Sequence, residues 1–340
     1  MNSLVYSLIR PFLFTLPPEL AHNLTLPGLD IAHKLKITQL LFSGIPEKPC
    51  TVMGLHFANP VGLAAGLDKN AEYIDSLATL GFGFIEVGTV TPRPQPGNPT
   101  PRIFRLPSAE ALINRMGFNN LGVDELVKNV QKSSFRGILG INIGKNFDTP
   151  LENAIEDYLT CLYKVYPYAD YVAINISSPN TQQLRQLQQS VELAHLLERL
   201  KTAQKQLATT HVKYVPLVVK IAPDLSAEEI AMIAKNLLDY EMDGVIATNT
   251  TVSRENVKNL PYAEEIGGLS GKPLAAQATA VVRQLSQTLQ GKISIIASGG
   301  VMNVADVQEK LTAGANLVQI YTGLIYRGPW LVKEIVHALK

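Results

Sequence analysis

Tyr171-Val172-Ala173-Ile174-Asn175-Ile176-Ser177-Ser178-Pro179-Asn180 is the stretch from which the rest of the chain is read. An apolar run rich in β-branched residues stops abruptly in Ser, Ser, Pro and Asn. Such a run, ended by turn formers, reads as a strand buried on both faces, the habit of parallel sheets. Pro179 has no N–H to give to a ladder, so the strand ends by Ser178. Two amides and two hydroxyls therefore gather at the carboxyl end of a buried strand, the edge where α/β folds place their chemistry. A plain strand-to-loop turn uses the same residue types, and on this stretch alone the two readings stand level.

Counting residues 171–176, eight apolar runs of this kind succeed one another; the others are 61–65, 83–87, 138–143, 215–221, 244–247, 293–297 and 317–320. Amphipathic stretches separate most of them, at 71–80, 154–165, 191–207, 227–238, 276–289 and 304–313. Buried strands alternating with helices predict an α/β fold closed as a (β/α)8 TIM barrel. The competing open doubly wound sheet is weakened because no G-x-G-x-x-G follows the first strand. Before that strand, residues 50–59 alternate around Met53-Gly54 and predict a hairpin.

A length of 340 residues suits one such barrel with an appendage and a large core. Lys and Arg number 30 against 29 Asp and Glu, which gives no electrostatic case for nucleic acid as the main partner. Cys50 and Cys161 stand far apart, so neither a disulfide framework nor a zinc site is expected. The histidines show no H-x-x-x-H pairing, and no metal site is expected from them. The most apolar part near the start, residues 4–16, is cut by Arg10 and Pro11 and is too short to span a bilayer. No small-residue cleavage site follows it, so a secretory signal is not expected and the protein is placed in the cytoplasm.

Residues 1–45 differ from the rest. Val5, Leu8, Ile9, Phe12, Leu13, Phe14 and Leu16 form an apolar face, and Pro17-Pro18 restarts a second helix with a proline in its first turn. A second apolar patch runs from Leu20 through Leu24, Leu26, Leu29, Ile31, Leu35, Ile37 and Leu40 to Phe42. Two helices this apolar must be covered, either by the main domain, slightly favoured on the residues alone, or by a membrane interface.

In a barrel the site is built from the loops after the strands. Those ends carry Gly66 to Lys69, Gly88 to Thr91, Asn142 to Asn146, Asn175 to Asn180, Lys220, Thr248 to Thr251, Ser298 to Gly300, and Tyr321 to Gly323. Asn114 falls in the long loop after the second strand. Asn114, Asn142, Asn175, Asn180 and Asn249 offer neutral donors and acceptors in pairs, which suits a flat amide-rich ring such as a pyrimidine. Lys69 and Lys220 add positive charge suited to a carboxylate or an anionic reduced ring. No paired carboxylates and no histidine stand there, so glycosidase and His-based acid/base readings lose ground. Gly299-Gly300 and Gly323 follow the last two strands, where barrels usually hold a phosphate on backbone N–H groups. Barrel, phosphate and neutral amides together point to flavin mononucleotide (FMN).

Four ordered motifs then carry a resemblance: Gly62 to Lys69 (GLAAGLDK), Gly88 to Asn98 (GTVTPRPQPGN), Asn114 to Asn120 (NRMGFNN) and Asn175 to Asn180 (NISSPN). With the N-terminal helices, they resemble the membrane-associated, quinone-dependent (class 2) dihydroorotate dehydrogenases across essentially the whole chain. The resemblance implies oxidation of dihydroorotate to orotate in pyrimidine biosynthesis, with FMN accepting the hydride and passing electrons to a membrane quinone. By matching positions it implies Ser178 as the base that removes the C5 proton. A serine is a poor base at neutral pH, and Thr89 or Thr91 is a candidate to relay its proton.

The same matching implies FMN contacts from Ala65, Gly66, Lys69, Thr89, Asn142, Asn175, Lys220, Thr248, Gly271, Gly300, Tyr321 and Thr322. It implies substrate contacts from Lys69, the run Asn114-Arg115-Met116-Gly117-Phe118, Asn175, Asn180, Asn249 and Thr250. His22, Arg105 and Tyr321 would surround the quinone. Residues 1–45 become a quinone and membrane dock, and 46–340 the FMN-binding barrel. The implied location is peripheral, on the cytoplasmic face of the cell (inner) membrane, as a monomer without nucleic acid. The soluble class 1 enzymes would carry cysteine at the Ser178 position and lack the extension. A flavin-dependent tRNA dihydrouridine reductase would share barrel and FMN, but a net charge of +1 gives it no RNA-binding surface. A membrane-docked binding protein would have no need of Ser178 together with both lysines.

Overall fold

The computed structural model describes residues 3–339; Met1, Asn2 and Lys340 lie outside what it describes, as do the side chains of Ser3, Leu4, Ser190 and, in the apolar face above, Val5. Three helices come first, α1 (Ser3–Thr15), α2 (Pro18–Lys34) and the short α3 (Ile37–Leu41), and then a hairpin of β1 (Cys50–Val52) and β2 (Leu55–Phe57). There follow β3 (Val61–Leu63), α4 (Ile74–Ala78), β4 (Phe84–Val90), β5 (Ile103–Leu106), β6 (Ala111–Asn114), α5 (Val123–Lys132) and β7 (Ile138–Ile143). Next are α6 (Ala154–Val165), β8 (Tyr171–Asn175), α7 (Ser190–His211), β9 (Leu217–Ile221), α8 (Ala227–Asp239), β10 (Gly244–Ala247) and β11 (Gly268–Gly271). The chain ends with α9 (Ala275–Leu289), β12 (Ser294–Ser298), α10 (Val304–Thr312), β13 (Leu317–Ile320), α11 (Thr322–Arg327) and α12 (Trp330–Ala338).

Strands β3, β4, β7, β8, β9, β10, β12 and β13 are all parallel and close on themselves, with β13 pairing back onto β3 through Val318 and Val61. The (β/α)8 barrel expected from the eight apolar runs is the fold. Two of its helices show why they start where they do. Ser226 and Glu229 form a reciprocal capping box on α8, and Asn303 and Asp306 do so on α10, each satisfying N–H groups the first turn leaves unpaired.

Side chains alternate in and out along each strand, so every second residue enters the barrel. At its amino end Phe84, Tyr171, Val218, Ile246, Ile296 and Leu317 pack with Val52 and Phe57 of the hairpin, which plugs that end. The plug is turned by Met53 and Gly54, both at positive φ (54° and 75°), as a two-residue hairpin requires. Two large rings fit because their neighbours are glycine. A Cβ at Gly62 would come within 2.3 Å of the Phe84 ring, and one at Gly140 within 2.2 Å of Tyr171.

The structure departs from the sequence reading in four places. Strand β4 runs on to Val90, so Thr89 lies on a strand and not on a loop. Asn114 ends strand β6, the centre of a three-stranded antiparallel sheet with β5 and β11 that stands apart from the barrel. Helix α5 fills part of the long connection after β4. The N-terminal segment holds a third helix, α3, besides the two expected.

Helices α1 and α2 lie against the carboxyl end of the barrel and are fastened there by arginines. Arg102 Nε pairs with Glu19 Oε1 at 2.8 Å, and Arg105 Nη1 donates to the Leu16 carbonyl at 2.7 Å while its guanidinium stacks on Phe14. Tyr6 donates its hydroxyl to the Ile325 carbonyl and Arg10 Nη1 donates to the Tyr326 carbonyl at 2.9 Å.

Candidate active site

Above the apolar plug, the next inward positions are polar. Glu86 is 0% exposed, and its carboxylate accepts from Asn142 Nδ2 (2.8 Å), the Tyr171 hydroxyl (2.8 Å) and Gln319 Nε2 (2.6 Å). A carboxylate only accepts, so it fixes Asn142 with its amide turned inward. The Asn142 oxygen is thereby turned outward, where it receives the Thr89 hydroxyl at 2.6 Å and Asn175 Nδ2 at 3.3 Å.

The chain of amides continues to the strand ends. Asn175 Nδ2 donates to Thr89 Oγ1, and its oxygen accepts from Asn249 Nδ2 at 3.3 Å and from the Ser177 hydroxyl. Asn180 Nδ2 reaches Asn114 Oδ1 at 3.1 Å, linking the loop after β8 to strand β6. Ser178 is buried, and its Oγ accepts from the backbone N–H of Asn180 at 3.2 Å.

One continuous cavity of about 320 Å³ joins these groups to the N-terminal helices. At the barrel end its wall includes Ser178, Lys69, Lys220, Asn175, Asn180 and Asn249; at the other it includes Leu13, Phe14, His22, Leu26 and Leu29. Lys69 Nζ donates to the Gly66 carbonyl at 2.9 Å, and burial, aided by the nearby Arg102 charge, brings its pKa down to about 8. Lys220 is buried, and its ammonium has no hydrogen-bond partner among the described residues; burial lowers its pKa, while the Glu86 charge works the other way. Burial, with Lys69 nearby, holds His22 down to about 4, so its imidazole is neutral at ordinary pH. Burial pushes the Tyr321 hydroxyl up to about 12, and its oxygen sits 3.5 Å from the Gly66 carbonyl. Gly299 and Gly300, both at positive φ, lie on the cavity wall.

Most residues expected at the site stand on this wall: Ala65, Gly66, Thr89, Thr248, Gly271, Gly300, Tyr321 and Thr322; Met116, Gly117 and Phe118; Thr250, His22 and Arg105. Two expected contacts do not. Asn142 is fully buried one layer behind Thr89 and Asn175. Arg115 turns away, with Nη1 on Glu265 Oε2 at 2.5 Å and its guanidinium over the Phe104 ring. The hydroxyls of Thr89 and Thr91 are both committed, Thr91 donating to the Arg93 carbonyl and accepting from Asn120 and Asn146. Thr181, further along the Ser178 loop, is buried with no partner for its hydroxyl among the described residues. The sequence reading missed Glu86 and Gln319, although a charged and an amide side chain inside runs read as buried strands were the signal for both.

A family model described as dihydroorotate dehydrogenase matches residues 49–340. The dihydroorotate dehydrogenase (quinone) of Acinetobacter baumannii strain SDF is 59% identical over 99% of this chain and 100% of its own. That of Nitrosomonas europaea is 60% identical over 99% and 98%. A crystal structure of the Eimeria tenella enzyme in complex with ferulenol superposes with a TM-score of 0.85 at 39% identity, covering 94% of this chain and 90% of that one. The chain belongs to the dihydroorotate dehydrogenase family, and within it to the quinone-dependent class 2 enzymes of pyrimidine biosynthesis.

Proposed function

We propose that the protein oxidises dihydroorotate to orotate with FMN as cofactor and Ser178 as base, and that its N-terminal helices dock it on a membrane and admit the quinone. The observation that carries this reading is the single cavity, which runs from Ser178 and the amides to the apolar helices α1 and α2. The residues present suit FMN. Lys220 offers a buried ammonium with no hydrogen-bond partner among the described residues, and the backbone of Gly299 and Gly300 lines the wall beyond the seventh strand, where a phosphate would be held. Bound there, FMN supplies the acceptor for the C6 hydride and the store of electrons for the quinone.

The chain's own residues do the rest. Lys69 holds the substrate carboxylate, and Asn114, Asn175, Asn180, Asn249 and Thr250 read the ring amides, each offering a donor and an acceptor. Ser178 Oγ takes the C5 proton as the C6 hydride leaves. The hydroxyls of Thr89 and Thr91 are committed, whereas Thr181, three residues along the loop from Ser178, keeps a hydroxyl without a partner among the described residues and would pass that proton on. The neighbouring amides are prearranged, so orientation costs little during the reaction.

The dock reading is supported by exposure. Half of the exposed large apolar side chains among the described residues lie between Leu8 and Leu41. No helix among those residues is long and apolar enough to cross a membrane, so contact would be interfacial. Arg105, Tyr321 and neutral His22 then supply the polar points along an otherwise apolar quinone path. Mass spectrometry of the heat-released cofactor and flotation with phospholipid vesicles test both parts. FMN and co-flotation are expected; another flavin, or protein left in the unfloated fraction, would contradict them.

A further inference from the structure

Arg185 lies in a 3-10 turn (Leu184–Gln188) on the loop that carries Ser178. Its guanidinium makes three separate bonds. Nε donates to the Ser177 carbonyl at 3.1 Å, Nη2 to the Thr250 carbonyl at 2.9 Å, and Nη1 to Asp224 Oδ2 at 2.9 Å. Asp224, on the loop after β9, is itself held: it accepts from the Thr251 hydroxyl, the Val252 N–H at 3.1 Å and Gln277 Nε2 at 3.4 Å. One side chain thus ties together the loops after β8, β9 and β10.

We infer that Arg185, anchored by Asp224, is a positioning residue that sets Ser178 and Thr250 for proton removal from the substrate. This role rests on the reaction proposed above. An exposed ion pair contributes little on its own, but this pair is only 24% and 16% exposed and its geometry is fixed by further bonds. The carbonyl that Arg185 grips precedes Ser178 directly, so it sets the start of the peptide on which the base stands. Its second grip, on Thr250, fixes another residue of the same cavity wall. A lysine has no rigid fork and cannot reproduce three divergent bonds. None of these bonds involves Lys220, Gly300 or helices α1 and α2. The effect therefore belongs to the half-reaction with dihydroorotate and not to cofactor binding or quinone reduction.

The test compares Arg185→Ala and Arg185→Lys with the parent, all as flavin-loaded full chains. Three readouts are taken: flavin content, anaerobic flavin reduction by dihydroorotate, and reoxidation by a quinone after chemical reduction. A misplaced base costs on the order of 100-fold in rate. Arg185→Ala is expected to slow reduction by about that factor while flavin content and reoxidation stay within about twofold, with Arg185→Lys between it and the parent. Should Arg185→Ala not fold, Asp224→Asn, which keeps the size of the anchor but removes its charge, is expected to show the same selective loss. Equal losses in both half-reactions, or a variant reduced as fast as the parent, would overturn the role. A parent that dihydroorotate does not bleach would overturn the proposed reaction itself, and this role with it.

Discussion

Asn142 gives its amide N–H to the Glu86 carboxylate at 2.8 Å and takes the Thr89 hydroxyl on its oxygen at 2.6 Å. Because the carboxylate can only accept, this pair sets the polarity of the whole amide chain from the barrel centre to Asn175 and Asn249. Replacing Glu86 with Leu would leave Asn142, Tyr171 and Gln319 without their buried acceptor. It would also leave the Lys220 charge without the carboxylate that offsets it. Each stranded donor costs roughly 1–3 kcal/mol, so Glu86→Leu is expected to lose at least about 3 kcal/mol in urea unfolding. Glu86→Gln should fold but let Asn142 turn round, and is expected to shed flavin on gel filtration where the parent keeps it.

Ser178→Ala removes the proposed base and leaves the cavity wall otherwise intact. Flavin content should be unchanged, while reduction by dihydroorotate falls by a factor of about 100 or more, within the usual range for a lost general base. Stopped-flow absorbance of the flavin band reads both.

The Lys69 ammonium, with its pKa lowered to about 8, is charged below that pH and neutral above it. In the proposed complex the orotate carboxylate pairs with this ammonium and needs its charged form. The orotate Kd is therefore expected to be flat below pH 8 and to rise toward about tenfold per unit above it. Titration of the flavin spectrum with orotate from pH 6 to 10 measures this. Lys69→Met should weaken binding and abolish the rise.

Leu8 and Leu40 are 78% and 79% exposed on the N-terminal helices. Substituting either with Glu should leave folding and dihydroorotate-dependent flavin reduction unchanged. Burial of one leucine is worth about 1.5–3 kcal/mol, so vesicle affinity should fall about tenfold or more for each. A sedimentation assay with phospholipid vesicles decides it.

The barrel was legible because a strand covered on both faces writes itself as an apolar run. The predicted bounds of β7, β10 and β13 coincide with those observed. Strands β5, β6 and β11 were not legible, because Arg105, Asn114 and Ser270 interrupt their apolar residues and the pairing of β6 with β11, Asn114 with Gly268, joins distant parts of the chain. Helix α5 was readable in principle, with Val123, Leu126, Val127 and Val130 on one stripe. Position within a motif revealed less about direction. Arg115 stands between two residues of the cavity wall yet turns to Glu265, and Asn142 supports the wall from behind. Arg185 carries no local sequence signal, because its three partners come together only once the loops are assembled.

In the proposed reaction one cavity couples dihydroorotate oxidation to quinone reduction. This coupling is tested most directly by mixing the anaerobic holoenzyme with dihydroorotate, following the visible flavin band, and then adding a quinone. Bleaching by dihydroorotate and recovery on adding quinone are expected. A flavin band that dihydroorotate leaves unbleached, or that quinone fails to restore, would contradict that coupling.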